Sequence, residues 1–346
     1  MVELNFNPDD VGVDNGSYFG MPFTPEQAQL VLISAPWDVT VSYGAGTSYA
    51  PDALIEASTQ LDFYDPAAPE AWRHGIATAD INYNLQEQST RLRHDASRVI
   101  AHLEQGGSTS DDYVVRKIRR VNEGSAELNA TIRQEADSWL EQGKIVGLVG
   151  GDHSTPYGLI AALAARHKQF GILHIDAHCD LREAYEGFEC SHASIMYNVL
   201  RDLPQVAHIV QVGQRDYCAT ELQTARESRR VSLFDDQMLM EATFAGESWD
   251  QLCERIVARL PEKVYISFDI DGLDLCYCPH TGTPVPGGLS FNQAVHLLKK
   301  VADSGRQIIG FDLVEVATAG EERIDAITGA RILWKLCGQT LRSNNR

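Results

Sequence analysis

Basic residues are scarce in this chain. Lysine and arginine number 29 against 48 aspartates and glutamates, a formal net charge of −19. So acidic a protein is a poor candidate for non-specific binding to nucleic acid or anionic membranes. No apolar run approaches the roughly 18 residues that a membrane helix needs. The first residues, Met1-Val2-Glu3-Leu4-Asn5-Phe6-Asn7, have neither a basic nor an apolar region, so no secretory signal is expected. Paired cysteines are missing too. The seven are odd in number and scattered, and Cys276 and Cys278 form only a C-x-C. A reducing compartment, the cytoplasm, fits that pattern. There is no serine nucleophile elbow and no P-loop. Gly44-Ala45-Gly46-Thr47 does not extend into a dinucleotide fingerprint.

What is present is ordinary globular material. Hydrophobic residues are 44% and charged residues 22%, which argues against a disordered, collagenous or disulfide-scaffold chain. Short apolar runs rich in β-branched residues recur at Gln29 to Ala35, Lys144 to Leu148, Gly171 to Ile175, Ile209 to Gly213, Lys263 to Phe268 and Gln307 to Phe311. Near-continuous apolar strands belong to a parallel sheet buried on both faces. Helical patterns lie between them, at Pro51 to Ser58, Ser125 to Gln142, Tyr157 to Arg166 and Asn292 to Ala302. The expected fold is therefore α/β: a three-layer α/β/α sandwich around a central, mostly parallel sheet. Residues 1–28 read as an N-terminal extension, 29–340 as a single domain and 341–346 as a tail. The polar stretch Tyr83 to Asn122, with Gly106-Gly107-Ser108-Thr109-Ser110 inside it, reads as an insertion or helical excursion of that domain.

Three clusters carry chemistry, and each follows an expected strand, where open α/β sheets bind ligands. The first is Gly150-Gly151-Asp152-His153-Ser154. A lone histidine at such a turn is more often structural than a ligand. The second is Asp176-Ala177-His178-Cys179-Asp180. In an extended chain, positions i, i+2 and i+4 point the same way, so two carboxylates and an imidazole converge. That crowding is costly without a cation. Cys179 faces the opposite way and reads as packing. The third is Asp269-Ile270-Asp271-Gly272-Leu273-Asp274, where Asp269 and Asp271 share a face. Carboxylates with some imidazole suit a hard or borderline divalent ion, Mn²⁺ before Zn²⁺. Six ligands exceed what one catalytic zinc takes and suit two ions. Two ions activate water at neutral pH, so hydrolysis is the reaction this set serves best.

The three clusters, in this order, resemble the ureohydrolases, the family of arginases and agmatinases. The stretch from Tyr43 to Pro51 is similar to that family's Gly-rich segment before its first helix, and Val212-Gly213-Gln214-Arg215 to its G-x-R strand end. The resemblance implies one manganese site from His153, Asp176, Asp180 and Asp269, and a second from Asp176, His178, Asp269 and Asp271. It implies that His192 shuttles protons to the leaving amine with Asp180, and that Glu315 grips the guanidinium. The substrate is then a small cationic guanidine cleaved to urea and an amine. Arginases carry different donors where this chain has Arg182 and Glu189-Cys190-Ser191-His192. The run from Asp180 to Gly187, with Ser191-His192 beyond it, looks most like bacterial agmatinases, with Arg182 and His192 at the substrate.

Departures keep other outcomes open. Asp274 is followed by Leu275 where the family usually has proline, and Ala193-Ser194 replaces Gly-Thr. Guanidino acids, free guanidine and formiminoglutamate remain alternative substrates, and Ni²⁺ an alternative metal. Histone-deacetylase-like proteins use one zinc with fewer ligands, and a non-catalytic metal-binding regulatory relative would lack a ligand. All six positions are kept here. No nucleic-acid or membrane partner is expected. The resemblance implies a homo-oligomer, a trimer or hexamer.

Overall fold

The computed structural model describes residues 6–318, 320 and 322–345. Eight strands form one sheet: β1 (Leu30–Ala35), β2 (Ile76–Thr78), β3 (Ile145–Gly150), β4 (Phe170–Ile175), β5 (Val206–Val212), β6 (Val231–Phe234), β7 (Lys263–Asp269) and β8 (Gln307–Val314). Their order is β2-β1-β3-β8-β7-β4-β5-β6, and every pairing is parallel. All six residues of β1 and of β4 are buried, as strands covered on both faces must be. β2 and β6 are the edge strands. They are short and partly exposed, so they carry no continuous apolar run, and the sequence pattern did not announce them.

Helices cover both faces. One core is built on α1 (Ala50–Ser58), α8 (Trp249–Val257), α9 (Phe291–Asp303) and α10 (Ile324–Asn344). The other is built on α2 (Tyr83–Glu104), α3 (Asp112–Glu141), α4 (Tyr157–Arg166) and α5 (Ile195–Asp202). Helices α6 (Ala219–Ser228) and α7 (Asp236–Phe244) flank β6. The result is the three-layer α/β/α sandwich expected. Residues 341–344 continue α10, and Phe19 of the N-terminal extension packs edge-on against Trp334 at 5.1 Å between ring centroids.

The stretch Tyr83 to Asn122 is helical. It holds α2, a turn through the Gly-Gly-Ser-Thr-Ser run, and the first third of α3. Leu92, Ala96 and Val99 of α2 meet Val114, Val121 and Leu128 of α3 in the second core. The two helices touch at Gly124, where a Cβ would stand 2.2 Å from Leu92 Cδ1. Any larger residue there would have to displace the Leu92 side chain.

Register aligns the central strand ends. Leu313 of β8 pairs with Val149 of β3 and Phe268 of β7, and Phe268 pairs with Ile175 of β4. One step further along the chain come Asp176 and Asp269, with Glu315 two steps after Leu313. Four neighbouring strands thus deliver polar side chains to one crevice beyond their carboxyl ends.

Candidate metal centre and active site

His153 lies at the bottom of the crevice. The loop that carries it turns tightly against the loop after β1: Asp152 N–H donates to Trp37 O at 2.8 Å. A Cβ on Gly151 would stand 2.0 Å from the same carbonyl oxygen, so glycine is required. Asp152 is a buried anchor. Its Oδ1 accepts from Ser154 N–H, and its Oδ2 from the backbone and hydroxyl of Thr40, both at 3.3 Å. It supports the site without facing its centre.

The His153 ring shows what the site lacks in protein partners. Ser267 Oγ donates to Asp312 Oδ1 at 3.2 Å, so it accepts from His153 Nε2–H at 2.8 Å. The proton on Nε2 leaves Nδ1 as a bare lone pair. Nδ1 is buried and has no hydrogen-bond partner. Around it stand Asp176 Oδ2 at 2.9 Å, Asp180 Oδ2 at 3.0 Å and Asp269 Oδ2 at 3.3 Å. These oxygens are close, but none meets the ring in hydrogen-bonding geometry. A buried lone pair facing three carboxylate oxygens is repulsive unless a cation sits among them. The donor set, one imidazole and three carboxylates, fits a divalent ion.

A second group adjoins the first. His178 Nδ1 lies 3.4 Å from Asp176 Oδ1 and 3.2 Å from Asp271 Oδ2. The loops hold these carboxylates by backbone amides: His178 N–H donates to Asp176, Ala177 N–H to Asp271 and Asp271 N–H to Asp269. Asp176 serves both groups.

The electrostatics follow from burial and crowding. Burial would raise the Asp176 pKa, but His174, His153 and His178 hold it well below the carboxylate range. Burial and the charge of Asp176 push Asp180 up to about 7. Burial, Asp271 and Asp176 hold Asp269 well above its ordinary value. Burial opposes charge on His153, yet Asp176, Asp180 and Asp269 raise its pKa well above the imidazole value, so these acids select a cation at Nδ1, a proton or a metal ion that displaces it. The raised values of Asp180 and Asp269 come first from burial and then from neighbouring carboxylates, a crowding that a cation among them would relieve.

All six residues expected as ligands are brought together here. The strand-alternation argument for Asp180 does not describe how it arrives, however. β4 ends at Ile175, and Asp180 sits at φ 53°, in the left-handed region. Its carbonyl accepts the Met196 and Tyr197 amides at the start of α5, which fixes that strained conformation. Cys179 points away into the second core, as expected.

His174 was missed. It continues the alternation of Asp176 and His178 backward by one step, which is the signal that could have found it. It lies within reach of the same centre. Both its nitrogens are engaged, Nε2 with Asp176 at 2.7 Å and Nδ1 with Gln211 at 3.0 Å, so it orients Asp176 instead of binding an ion. Arg215 was seen only as part of a motif. Its Nη2 holds the carbonyls of Asp271, Leu273 and Val285 at 2.7, 3.1 and 2.9 Å, which locks the loop of Asp271.

A cavity of about 420 Å³ opens onto this centre, with His178, Asp180, His192, Arg182 and Asp216 on its wall. His192 is buried, and its Nδ1 lies 3.2 Å from Ser191 Oγ. Burial and His178 push its pKa down to about 3, so the ring is neutral. Arg182 stacks over Tyr185 at 4.7 Å and reaches the buried Glu221 at 3.6 Å. Asp216 is exposed and Glu221 is buried. Glu315 stands off the wall, 2% exposed and at φ 60°. Its Oε1 accepts from His153 N–H at 3.0 Å, while Oε2 is buried without a partner. Burial and Asp152 hold its pKa well above the carboxylate range.

Comparison with known proteins places these features in context. The model of the arginase family matches residues 28–338. The N(1)-aminopropylagmatine ureohydrolase of Thermus thermophilus is 30% identical over 322 residues, covering 92% of this chain and 93% of that protein. The guanidinobutyrase of Pseudomonas aeruginosa is 31% identical over 317 residues, covering 88% and 84%. The fold is shared with the proclavaminate amidino hydrolase of Streptomyces clavuligerus, at a TM-score of 0.73, 23% identity and coverage of 94% and 97%.

Proposed function

The chain belongs to the arginase family of hydrolases, and from that premise we propose that it cleaves a linear guanidine with a cationic far end to urea and an amine. Agmatine, or an amine extended from it, is the substrate of this reading. The observation that carries it is the His153 Nδ1 lone pair, buried without a partner and faced by three carboxylates at the floor of the cavity.

His153, Asp176, Asp180 and Asp269 would hold one ion. Asp176, His178, Asp269 and Asp271 would hold the other, with Asp176 and Asp269 shared. Manganese is the preferred ion and nickel the alternative. When bound, such a pair lowers the pKa of water and supplies a nucleophile at neutral pH. The chain's own residues do the rest. The charge of a guanidinium beside it would favour the ionised form of the buried Glu315, whose unpartnered Oε2 then accepts an N–H of the planar group and orients it. Water adds to the guanidino carbon and gives up a proton. His192 accepts a proton and passes it to the departing nitrogen, and Asp180 serves the same transfer. The carbon–nitrogen bond breaks, and urea and the amine leave.

The cavity wall supports a cationic tail. The charge of Arg182 is already engaged by Glu221 and the Tyr185 ring. Asp216 is left as an exposed acid at the mouth. A guanidino acid is the second reading, and Arg182 is the observation in its favour. Urea release measured on agmatine, N1-aminopropylagmatine, 4-guanidinobutyrate, arginine and free guanidine, with manganese- and nickel-loaded protein, separates them. The highest kcat/KM on an amine-tailed guanidine is expected. Preference for 4-guanidinobutyrate would transfer the tail to Arg182.

The compartment and assembly belong to this reading too. Among the described residues no helix is long and apolar enough to cross a membrane, and all seven cysteines are free. Both fit a cytoplasmic enzyme. A trimer or hexamer is expected by light scattering.

A further inference from the structure

The helical pair α2–α3 does more than thicken one layer. Two polar side chains of α2 one turn apart, Ser89 and Arg93, point at the loop that follows β1. Ser89 Oγ accepts from Asp38 N–H at 3.0 Å and donates to Asp38 Oδ1 at 3.2 Å. Arg93 Nη1 donates to Val39 O at 3.2 Å and also to Val41 O. These carbonyls flank Thr40. Thr40 Oγ1 donates to Asp152 and accepts the His192 amide at 3.0 Å.

Helix α3 holds the other approach to His192. Asn122 Oδ1 accepts from Glu189 N–H at 3.1 Å, and its Nδ2 donates to Gly187 O at 3.4 Å. Ile118 packs so tightly on Gly187 that a Cβ there would stand 2.5 Å from Ile118 Cδ1. The Thr40 loop that meets the His192 amide and the backbone leading into His192 are thus each held by a side chain of the stretch Tyr83 to Asn122. Arg93 is half-buried, feels the charge of Asp38, Asp152 and Glu186, and spends its Nη1 on two backbone carbonyls, where an apolar side chain would fill the space without desolvating a charge.

We propose that the α2–α3 pair is the positioning device for His192, with Arg93 and Asn122 as its positioning residues. Neither touches the cavity centre. Arg93 fixes Thr40, Asn122 fixes the Gly187–Glu189 backbone, and the two together set the imidazole. The proposal rests on the proton-transfer role given to His192 above.

The test combines kinetics with hydrogen exchange on the full-length, metal-loaded protein. Arg93→Met should lower kcat by about 10–100-fold with KM changed less than threefold, as a misplaced catalytic group does. Arg93→Lys, which keeps a donor, should recover part of the loss. In an H192N background, Arg93→Met should cause little further loss, because both changes remove the same contribution. Amides of 38–42 and 188–194 should exchange faster in Arg93→Met and in Asn122→Ala, while those of 170–176 and the metal content stay unchanged. Losses that multiply across the cycle, or unaltered exchange at 188–194, would overturn the proposal. If Arg93→Met does not fold, Asn122→Ala and Ser89→Ala carry the same cycle. If the wild-type protein releases urea from no guanidine, the functional reading fails, and the exchange pattern still decides the positioning claim.

Discussion

His280 and His153 are both imidazoles set against aspartates, and they differ in how their nitrogens are met. His280 Nδ1 lies 2.8 Å from Asp325 Oδ2, its backbone N–H donates to Asp325 Oδ1 at 3.0 Å, and Nε2 lies 3.2 Å from Glu322. Nδ1 of that ring is met by Asp325, and Nε2 lies on a partly exposed edge beside Glu322, so no nitrogen is buried without a partner. His153 has one nitrogen satisfied by Ser267 and one facing three acids with nothing between. The first cluster is complete in amino acids; the second is complete only with a cation. Clustered histidine and aspartate are therefore weak evidence for metal by themselves. The deciding feature is a buried lone pair whose other nitrogen is already fixed.

The contrast can be broken most directly at the shared carboxylates. Asp176→Ala or Asp269→Asn should lower urea release by about three orders of magnitude or more and reduce bound metal, since the nucleophile depends on the ions. Asp325→Asn should leave activity within about tenfold and metal content unchanged, while lowering stability by about 1–3 kcal/mol in denaturant titration. Equal effects of the two changes on metal content would erase the distinction. His192→Asn should lower kcat by about 10²–10⁴-fold with metal retained, seen by parallel kinetics and elemental analysis.

Smaller changes sharpen the same comparison. Ser267→Ala removes the acceptor that fixes the His153 tautomer, and metal affinity should weaken by about 10–100-fold in a competition titration. Glu135 is a carboxyl with neither histidine nor ion nearby. Burial and Asp80 raise its pKa from 4.5 to about 7. The fold thus prefers it protonated, and that preference is present in full below pH 4.5 and lost as pH rises through about 7. Glu135→Gln should match the wild type near pH 4 and melt about 1–3 °C higher at pH 8.

How much could be read beforehand depended on where the determining contacts lie along the chain. β1, β3, β4, β7 and β8 announced themselves because each is buried on both faces and so is apolar through most of its length. β2 and β6 did not, because edge strands need not be. His153, Asp176, His178, Asp269 and Asp271 were legible as short polar motifs following strands. Asp180 was named for the wrong geometric reason, since the chain leaves the extended region before reaching it. Residue patterns alone did not single out His192 and Glu315; the family resemblance did. Arg93 was out of reach of any such reading, because its acceptors Val39 and Val41 are more than fifty residues away along the chain.

The measurement that tests the central claim most directly is metal stoichiometry by calorimetric titration of chelator-treated protein, run beside His153→Ala. Two divalent ions per chain, with a rise in the unfolding midpoint on loading and at least one ion lost in the variant, are the result predicted. No binding by the wild type, or undiminished binding by His153→Ala, would contradict it.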